Sequence, residues 1–267
     1  MSKQDQMIHM TEEEWRKILL GVHPGLYLRR NLLRLIPSDP RCKLCNAPFG
    51  GIWAILMKFL GRSPYNKNPH FCGACLIDTE VGGVEVELTM LFADVRGSTT
   101  LAEKLSPVKF SQLMNRFYAV ATETMLKSEA LIDKLVGDEV IGLYIPGFSG
   151  PQHARLAVQA AEDLLQATGH ASHDGPWLPV GIGVHTGIAY VGLVGTKGGI
   201  SDLTALGDAM NTTARLASKA GAGEVLISEA TYVAAGLNLK NVEHRQLELK
   251  GKSEPVGVRV LKLPVAG

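Results

Sequence analysis

Asp94 closes the apolar run "TMLFAD", and Asp138 stands in "KLVGDEV", on a Gly-Asp turn between two short apolar segments. If those segments are neighbouring strands, both carboxylates reach one sheet edge as hard oxygen ligands. That pairing suits Mg²⁺, which takes one or two carboxylates together with substrate phosphates. The loop after Asp94, "VRGSTT", places a glycine-containing turn ahead of a helix, where backbone N–H groups can hold a phosphate. Each feature also has a structural reading. Gly-Asp is a favoured hairpin turn, and Ser98, Thr99 and Thr100 can be helix caps, with Thr100 and Glu103 forming a capping box. Together the matched strand-end positions favour a metal–phosphate site, without naming a reaction. Asp133, Lys134, Asp138 and Glu139 all interrupt the apolar run over residues 131–145, so these charges need solvent, partners or a ligand.

A second chemistry is written in the cysteines. All four lie in Cys42-x₂-Cys45 and Cys72-x₂-Cys75. Four thiolates complete a tetrahedral Zn²⁺ site or hold an iron–sulfur cluster. Disulfides are a third reading, disfavoured because "MSKQDQMIHMTEEEW" shows no secretory signal. The 26 residues between the pairs include "IWAILMKFL", which can form a helix over the metal site.

These groups need elements to position them. Residues 1–81 read as a small helical, cysteine-containing domain. "TEEEWRKILLGV" is a helix opened by a Thr11/Glu14 capping box, "LYLRRNLLRLI" is a basic helix stopped by Pro37, and Val81-Gly82-Gly83 reads as a hinge. Residues 82–267 alternate strand and helix signals. "VEVELTMLFADV" is a strand, and a long amphipathic helix begins with Pro107 in its first turn. The strand pair around Gly137-Asp138 follows, then a helix ended by Gly169 and one or two strands in "WLPVGIGVHTGIAYVGLVG". A helix with Asp208 as N-cap and Gly221 as C-cap, and short strands near "EVLIS", "VEHRQLEL" and "VGVRVLKL", complete the order. This order predicts an α+β or α/β sandwich with helices packed on a mixed sheet.

Composition limits the rest. The net charge of +1 gives no global attraction to nucleic acid, and residues 1–80, with eleven Lys/Arg against seven Asp/Glu, are only mildly basic. No apolar run reaches the roughly 20 residues that span a bilayer. The expectation is a cytoplasmic protein with no nucleic-acid partner and no membrane span.

"LFADVRGSTTLAE", "KLVGDEVIGLY" and "LGDAMNTTARLAS" together resemble, in order and spacing, the class III adenylyl/guanylyl cyclase catalytic domain, over about residues 84–263. The resemblance implies a palm-type, ferredoxin-like sheet-and-helix domain that converts a nucleoside triphosphate to a 3′,5′-cyclic monophosphate and pyrophosphate, a phosphorus–oxygen lyase. It implies that Asp94, Asp138 and the Val95 carbonyl hold two Mg²⁺ or Mn²⁺ ions. The loop of Gly97, Ser98 and Thr99 would cradle phosphates. Asn211 would orient the ribose, Arg215 would stabilise charge at the α-phosphate, and Lys250 would reach the terminal phosphates. Lys134 and Thr204 match the base-reading positions of the Lys/Thr subclass that includes bicarbonate-responsive soluble cyclases, which implies ATP as substrate and suggests bicarbonate regulation. Because family sites form between two catalytic domains, a homodimer is implied. A guanylyl cyclase and an inactive nucleotide-binding domain are the alternatives. "VGDEV" also resembles the GGDEF segment of diguanylate cyclases, but lacks its first Gly and its Phe. The histidines need no catalytic role, and His185 reads as a packed strand residue.

Overall fold

The central strand of this protein is apolar on both sides because both sides are covered. The computed structural model of the chain describes residues 11–38, 40–66, 68–76, 82–195, 201–238 and 242–264. The N-terminal part contains α1 (Glu12–Leu19), α2 (Pro24–Arg34), α3 (Gly51–Phe59), the hairpin β1 (Pro64–Tyr65) and β2 (Asn68–Cys72), and α4 (Gly73–Leu76). There follow β3 (Gly82–Val95), α5 (Ser98–Lys104), α6 (Pro107–Lys127), β4 (Leu131–Val136), β5 (Glu139–Tyr144), α7 (Pro146–Ser149) and α8 (His153–Ala167). The chain ends through β6 (Val180–Gly195), β7 (Ser201–Leu206), α9 (Asp208–Lys219), β8 (Val225–Ser228), α10 (Glu229–Ala234), β9 (Glu243–Leu247) and β10 (Val256–Leu261). This is the expected α+β architecture.

The main sheet has the order β4-β5-β3-β6-β8-β10-β9, with β7 added to β6. Among the described residues, only β6 and β8 run parallel. Successive β3 side chains alternate between two cores. Leu91, Ala93 and Val95 face α6 and α8, whereas Val84, Val86, Leu88, Met90 and Phe92 face the N-terminal part and α9. Two-sided burial is why "TMLFADV" reads as continuous rather than alternating hydrophobicity.

The N-terminal part shares the second core. Trp15 and Leu19 of α1 are buried there beside the cysteines and β3. Phe71 meets Phe148 with ring centroids 5.0 Å apart. Asn68 Nδ2 donates to the Ala130 carbonyl, and Lys43 pairs with Glu129. Both last contacts land on the turn that leads into β4.

Several local expectations need correction. Gly82 and Gly83 are the first residues of β3, paired with Leu193 and Gly192, rather than a hinge; Val81 lies outside the described residues. α5 already begins at Ser98, after a left-handed Gly97, so Thr100 and Glu103 are interior and form no capping box. Gly207 is the N-cap of α9 and Ala220 its C-cap, which leaves Asp208 in the first turn and Gly221 beyond the end. Of the one or two strands expected in "WLPVGIGVHTGIAYVGLVG", there is one, of 16 residues, as that reading allowed. The apolar insert does form α3, which enters the core of the four cysteines through Met57 and leaves Ile52, Ile55, Leu56 and Phe59 exposed. No described helix is long and apolar enough to cross a membrane.

Candidate active site and thiolate centre

The hairpin between β4 and β5 sets Asp138 against the end of β3. Gly137 takes φ +61, a backbone state that a side chain disfavours, and the Tyr118 hydroxyl donates to its carbonyl. Val95 N–H donates to the Asp138 carbonyl at 3.1 Å. Asp94 is in register with Glu139 on one side and Gly181 on the other. The predicted carboxylate pair therefore exists as a neighbouring pair. Burial raises the Asp94 pKa; an ion pair with Arg96 opposes this, and the charge of Asp138 adds to it. Glu139 is pushed up to about 7, first by burial and then by Asp94 and Asp138. Three carboxyl groups with one guanidinium leave an excess of negative charge that a divalent cation would relieve. Gly97 and Thr99 are exposed and Ser98 is half-buried at the adjoining start of α5.

A close helix–strand approach fixes the second set of residues. A Cβ on Gly183 would lie 2.4 Å from the Ala217 backbone nitrogen, so glycine lets α9 rest directly on β6. α9 buries Ala209, Thr212, Thr213, Leu216 and Ala217, leaving Asn211 exposed and Arg215 half-buried on the other side. A Cβ on Gly251 would sit 3.4 Å from Arg215 Nη2, so the loop carrying Lys250 passes the Arg215 guanidinium. Within that loop it is Lys252 that pairs with Asp208 at the start of α9, while Lys250 stays exposed. Arg215 Nη1 is shielded yet has no hydrogen-bond partner among the described residues.

The base-reading candidates lie on β4 and β7, which touch without being hydrogen-bonded to each other. Thr204 is buried, and its Oγ1 has no hydrogen-bond partner among the described residues. Lys134 is exposed, 4.0 Å from Asp133. Among the described residues, no hydrogen bond or ion pair joins Asp94 or Asp138 to Lys134, Thr204, Asn211 or Arg215. Lys134 shares the β4–β5 hairpin with Asp138, Thr204 lies on β7, and Asn211 and Arg215 lie on α9.

Residues 84–261 match the family model described as the adenylate and guanylate cyclase catalytic domain. The chain belongs to that family. Its cyclase domain is 29% identical over 196 residues to an adenylate cyclase of Anabaena cylindrica, covering 68% of this chain and 38% of that protein. It is 30% identical over 179 residues to the terminal-differentiation-specific adenylate cyclase of Dictyostelium discoideum, covering 64% and 8%. The chain thus spans well under half the length of these relatives. Among solved structures, the guanylyl cyclase Cya2 superposes with TM-score 0.61 at 26% identity, over 69% of this chain and 95% of that one. The adenylyl cyclase CyaB from P. aeruginosa gives TM-score 0.58 at 29% identity, over 68% and 97%.

Ahead of the cyclase domain, Cys42, Cys45, Cys72 and Cys75 converge as free, buried thiols, their sulfurs all within 4.8 Å of one another. Cys45 Sγ and Cys72 Sγ are 3.7 Å apart. Cys72 N–H donates to Cys42 Sγ at 3.3 Å, and Arg62 Nη1 to Cys45 Sγ at 3.5 Å. The Cys45 thiol is held well below its usual range, first by hydrogen bonding with Cys42 and then with Cys72 and Cys75. A group of this kind can hold a metal ion.

Sequence reasoning missed four participants. Arg96 pairs with Asp94 and also donates to the Ser218 carbonyl at 2.9 Å, tying the acidic pair to the end of α9. Its i, i+2 relation to Asp94 put both on one side of the chain, a signal that was available. Tyr118 and Glu139 act through the hairpin. Lys252 was the other lysine of "KGK", and only the fold could choose which one turns toward α9.

Proposed function

We propose that the chain is an adenylyl cyclase that converts ATP to 3′,5′-cyclic AMP and pyrophosphate as a homodimer with its sites between protomers. The observation that carries this reading is the pairing of Asp94 and Asp138 at adjacent strand ends, where the only ion pair to Asp94 among the described residues comes from Arg96. A two-fold axis would set the acidic pair of one protomer opposite the partner's Arg215. Asp94 and Asp138, with the Val95 carbonyl, would hold two Mg²⁺ or Mn²⁺ ions, which supply Lewis acidity toward the ribose 3′-hydroxyl and the triphosphate.

The chain's other residues position the nucleotide. Lys134 donates to adenine N1, and the Thr204 hydroxyl accepts from the adenine amino group. Asn211 orients the ribose, and backbone N–H groups of Gly97, Ser98 and Thr99 cradle the phosphates. The 3′-oxygen attacks the α-phosphorus, its proton passes to solvent, and the bond to the bridging oxygen breaks to release pyrophosphate. Arg215 stabilises the charge gathering at the α-phosphate with its fixed fork of donors, and Lys250 meets the terminal phosphates. No protein nucleophile is needed.

The four thiolates form a structural centre for one metal ion, read as zinc. Zn–S bonds of about 2.3 Å in a tetrahedron place sulfurs about 3.8 Å apart, close to the 3.7 Å between Cys45 and Cys72. A cluster would insert irons and sulfides and spread the thiolates wider. Incubating the purified chain with ATP or GTP and Mg²⁺ or Mn²⁺, with and without bicarbonate, tests the whole reading by mass identification of the product. Cyclic AMP is expected; cyclic GMP alone, or no cyclic product under any condition, overturns it. A colourless preparation holding one zinc per chain supports the thiolate assignment, and a brown one overturns it.

A further inference from the structure

Twelve of the eighteen large apolar side chains exposed among the described residues lie between Leu20 and Leu60. They are arranged rather than scattered. On α2 and its C-cap, Leu28, Leu32 and Leu35 recur at i, i+4 and i+7 and are 63%, 60% and 81% exposed, on the side opposite the buried Leu26. Arg29, Arg30 and Arg34 flank this stripe. On α3, Ile52, Ile55, Leu56 and Phe59 make a second outward stripe, with Phe59 85% exposed. The two helices are tied to one scaffold: Ser38 Oγ donates to the Gly50 carbonyl at 3.2 Å, and Asn46 Nδ2 to the Arg30 carbonyl at 3.0 Å.

The charge on these two helices is of one sign. α2 and α3 carry Arg29, Arg30, Arg34 and Lys58 and no acidic residue, within residues 1–80 whose balance is +4 against −3 for the rest of the chain. A second copy seated on this face would bring like charge against like charge. A nucleic acid would use the arginines but leave the apolar stripes in water. A bilayer with anionic headgroups takes both, because leucine and phenylalanine enter the headgroup boundary while arginines reach the phosphates. Eleven and nine residues are too few for α2 and α3 to span it.

We propose that α2 and α3 dock this protein peripherally on an anionic lipid surface. Sedimentation of the full chain with vesicles of phosphatidylcholine, alone or mixed with phosphatidylglycerol, tests it. Binding is expected at least about tenfold stronger with the anionic lipid and weakened by added salt. Trp53 on α3 supplies a fluorescence readout in the unaltered chain, expected to shift to the blue on binding. Leu32→Asp with Phe59→Asp should abolish binding, and Arg29→Glu with Arg30→Glu should weaken it, with the melting temperature unchanged because all four side chains are exposed. Failure to bind anionic vesicles, or equal binding to neutral ones, overturns the proposal. So does a stripe variant that lowers the solution mass while leaving vesicle binding intact, since the face would then be a protein interface.

Discussion

Arg215 and Lys134 are the residues on which the chemical reading can be tried most directly. Charge that develops in the transition state is met by Arg215, so Arg215→Ala should lower kcat by about 10²–10³ with little change in KM. Steady-state kinetics decide it; a rise in KM at constant kcat would make Arg215 an ordinary binding residue. Lys134→Glu should exchange a donor for an acceptor at base N1 and move the preference for ATP toward GTP, read as the ratio of kcat/KM values. His185 tests the structural side. Burial, then the charge of Lys252, holds its pKa down to about 4, and its Nδ1 lies 2.8 Å from Ser228 Oγ. The unfolded state therefore binds more protons between pH 4 and 6.5, so stability is complete above 6.5 and falls as the pH drops through that window. The full loss is about 3 kcal/mol. Melting temperatures should show His185→Gln losing less stability than the parent between pH 7 and 4.5. At this scale Asp94 and Asp138 could be paired from the sequence because each stands at a recognisable strand end or turn, and Asn211 and Arg215 because four residues set them on one helix face; the roles proposed for them await the kinetics. For Arg96 only the nearness to Asp94 was legible, since its other contacts are the carbonyls at Ser218 and Ala220, more than a hundred positions away.

Elements were legible wherever period and burial agreed. β3, α6, α8 and α9 follow from apolar spacing, and the start of α6 also from Pro107 in its first turn. β7 was missed because "SDLTAL" is short and polar, and it is a strand only because the far end of β6 is there to pair with it. α10 is a six-residue helix whose Ser228 cap looks like the end of a strand. The outward face of α3 was not legible for a similar reason: an apolar run declares burial, but not against what. The place where elements control chemistry is the contact of α9 with β6. Gly183→Ala puts a methyl group 2.4 Å from the Ala217 nitrogen, so α9 must shift. A displacement of about 1 Å in Asn211 and Arg215 should cost about 10² in kcat, with the secondary structure preserved by circular dichroism. Activity equal to the parent would show that α9 tolerates the shift. The thiolate centre holds the other boundary, through Asn68 to Ala130 and Lys43 to Glu129 at the entry to β4. Cys45→Ser, or metal removal by chelation, should therefore lower the melting temperature of the whole chain rather than release a separately melting module.

At the scale of the molecule, the proposed reading makes each chain the donor of two half-sites. Asp94 and Asp138 lie with Arg96 and Glu139 at one strand end, while Arg215 faces the loop around Gly251. If catalysis needs both sets around one nucleotide, each protomer contributes one half to each of two sites. Asp94→Ala and Arg215→Ala should each keep no more than about a hundredth of the parental rate as homodimers. Mixed in equal amounts and allowed to exchange, half of the dimers are heterodimers. Each of these carries one site with both lesions and one site with neither, so recovery should approach about a quarter of the parental rate. Cyclic AMP production as a function of mixing ratio reads this directly, with its maximum at equal amounts. A flat, inactive profile would mean that each chain builds its own site.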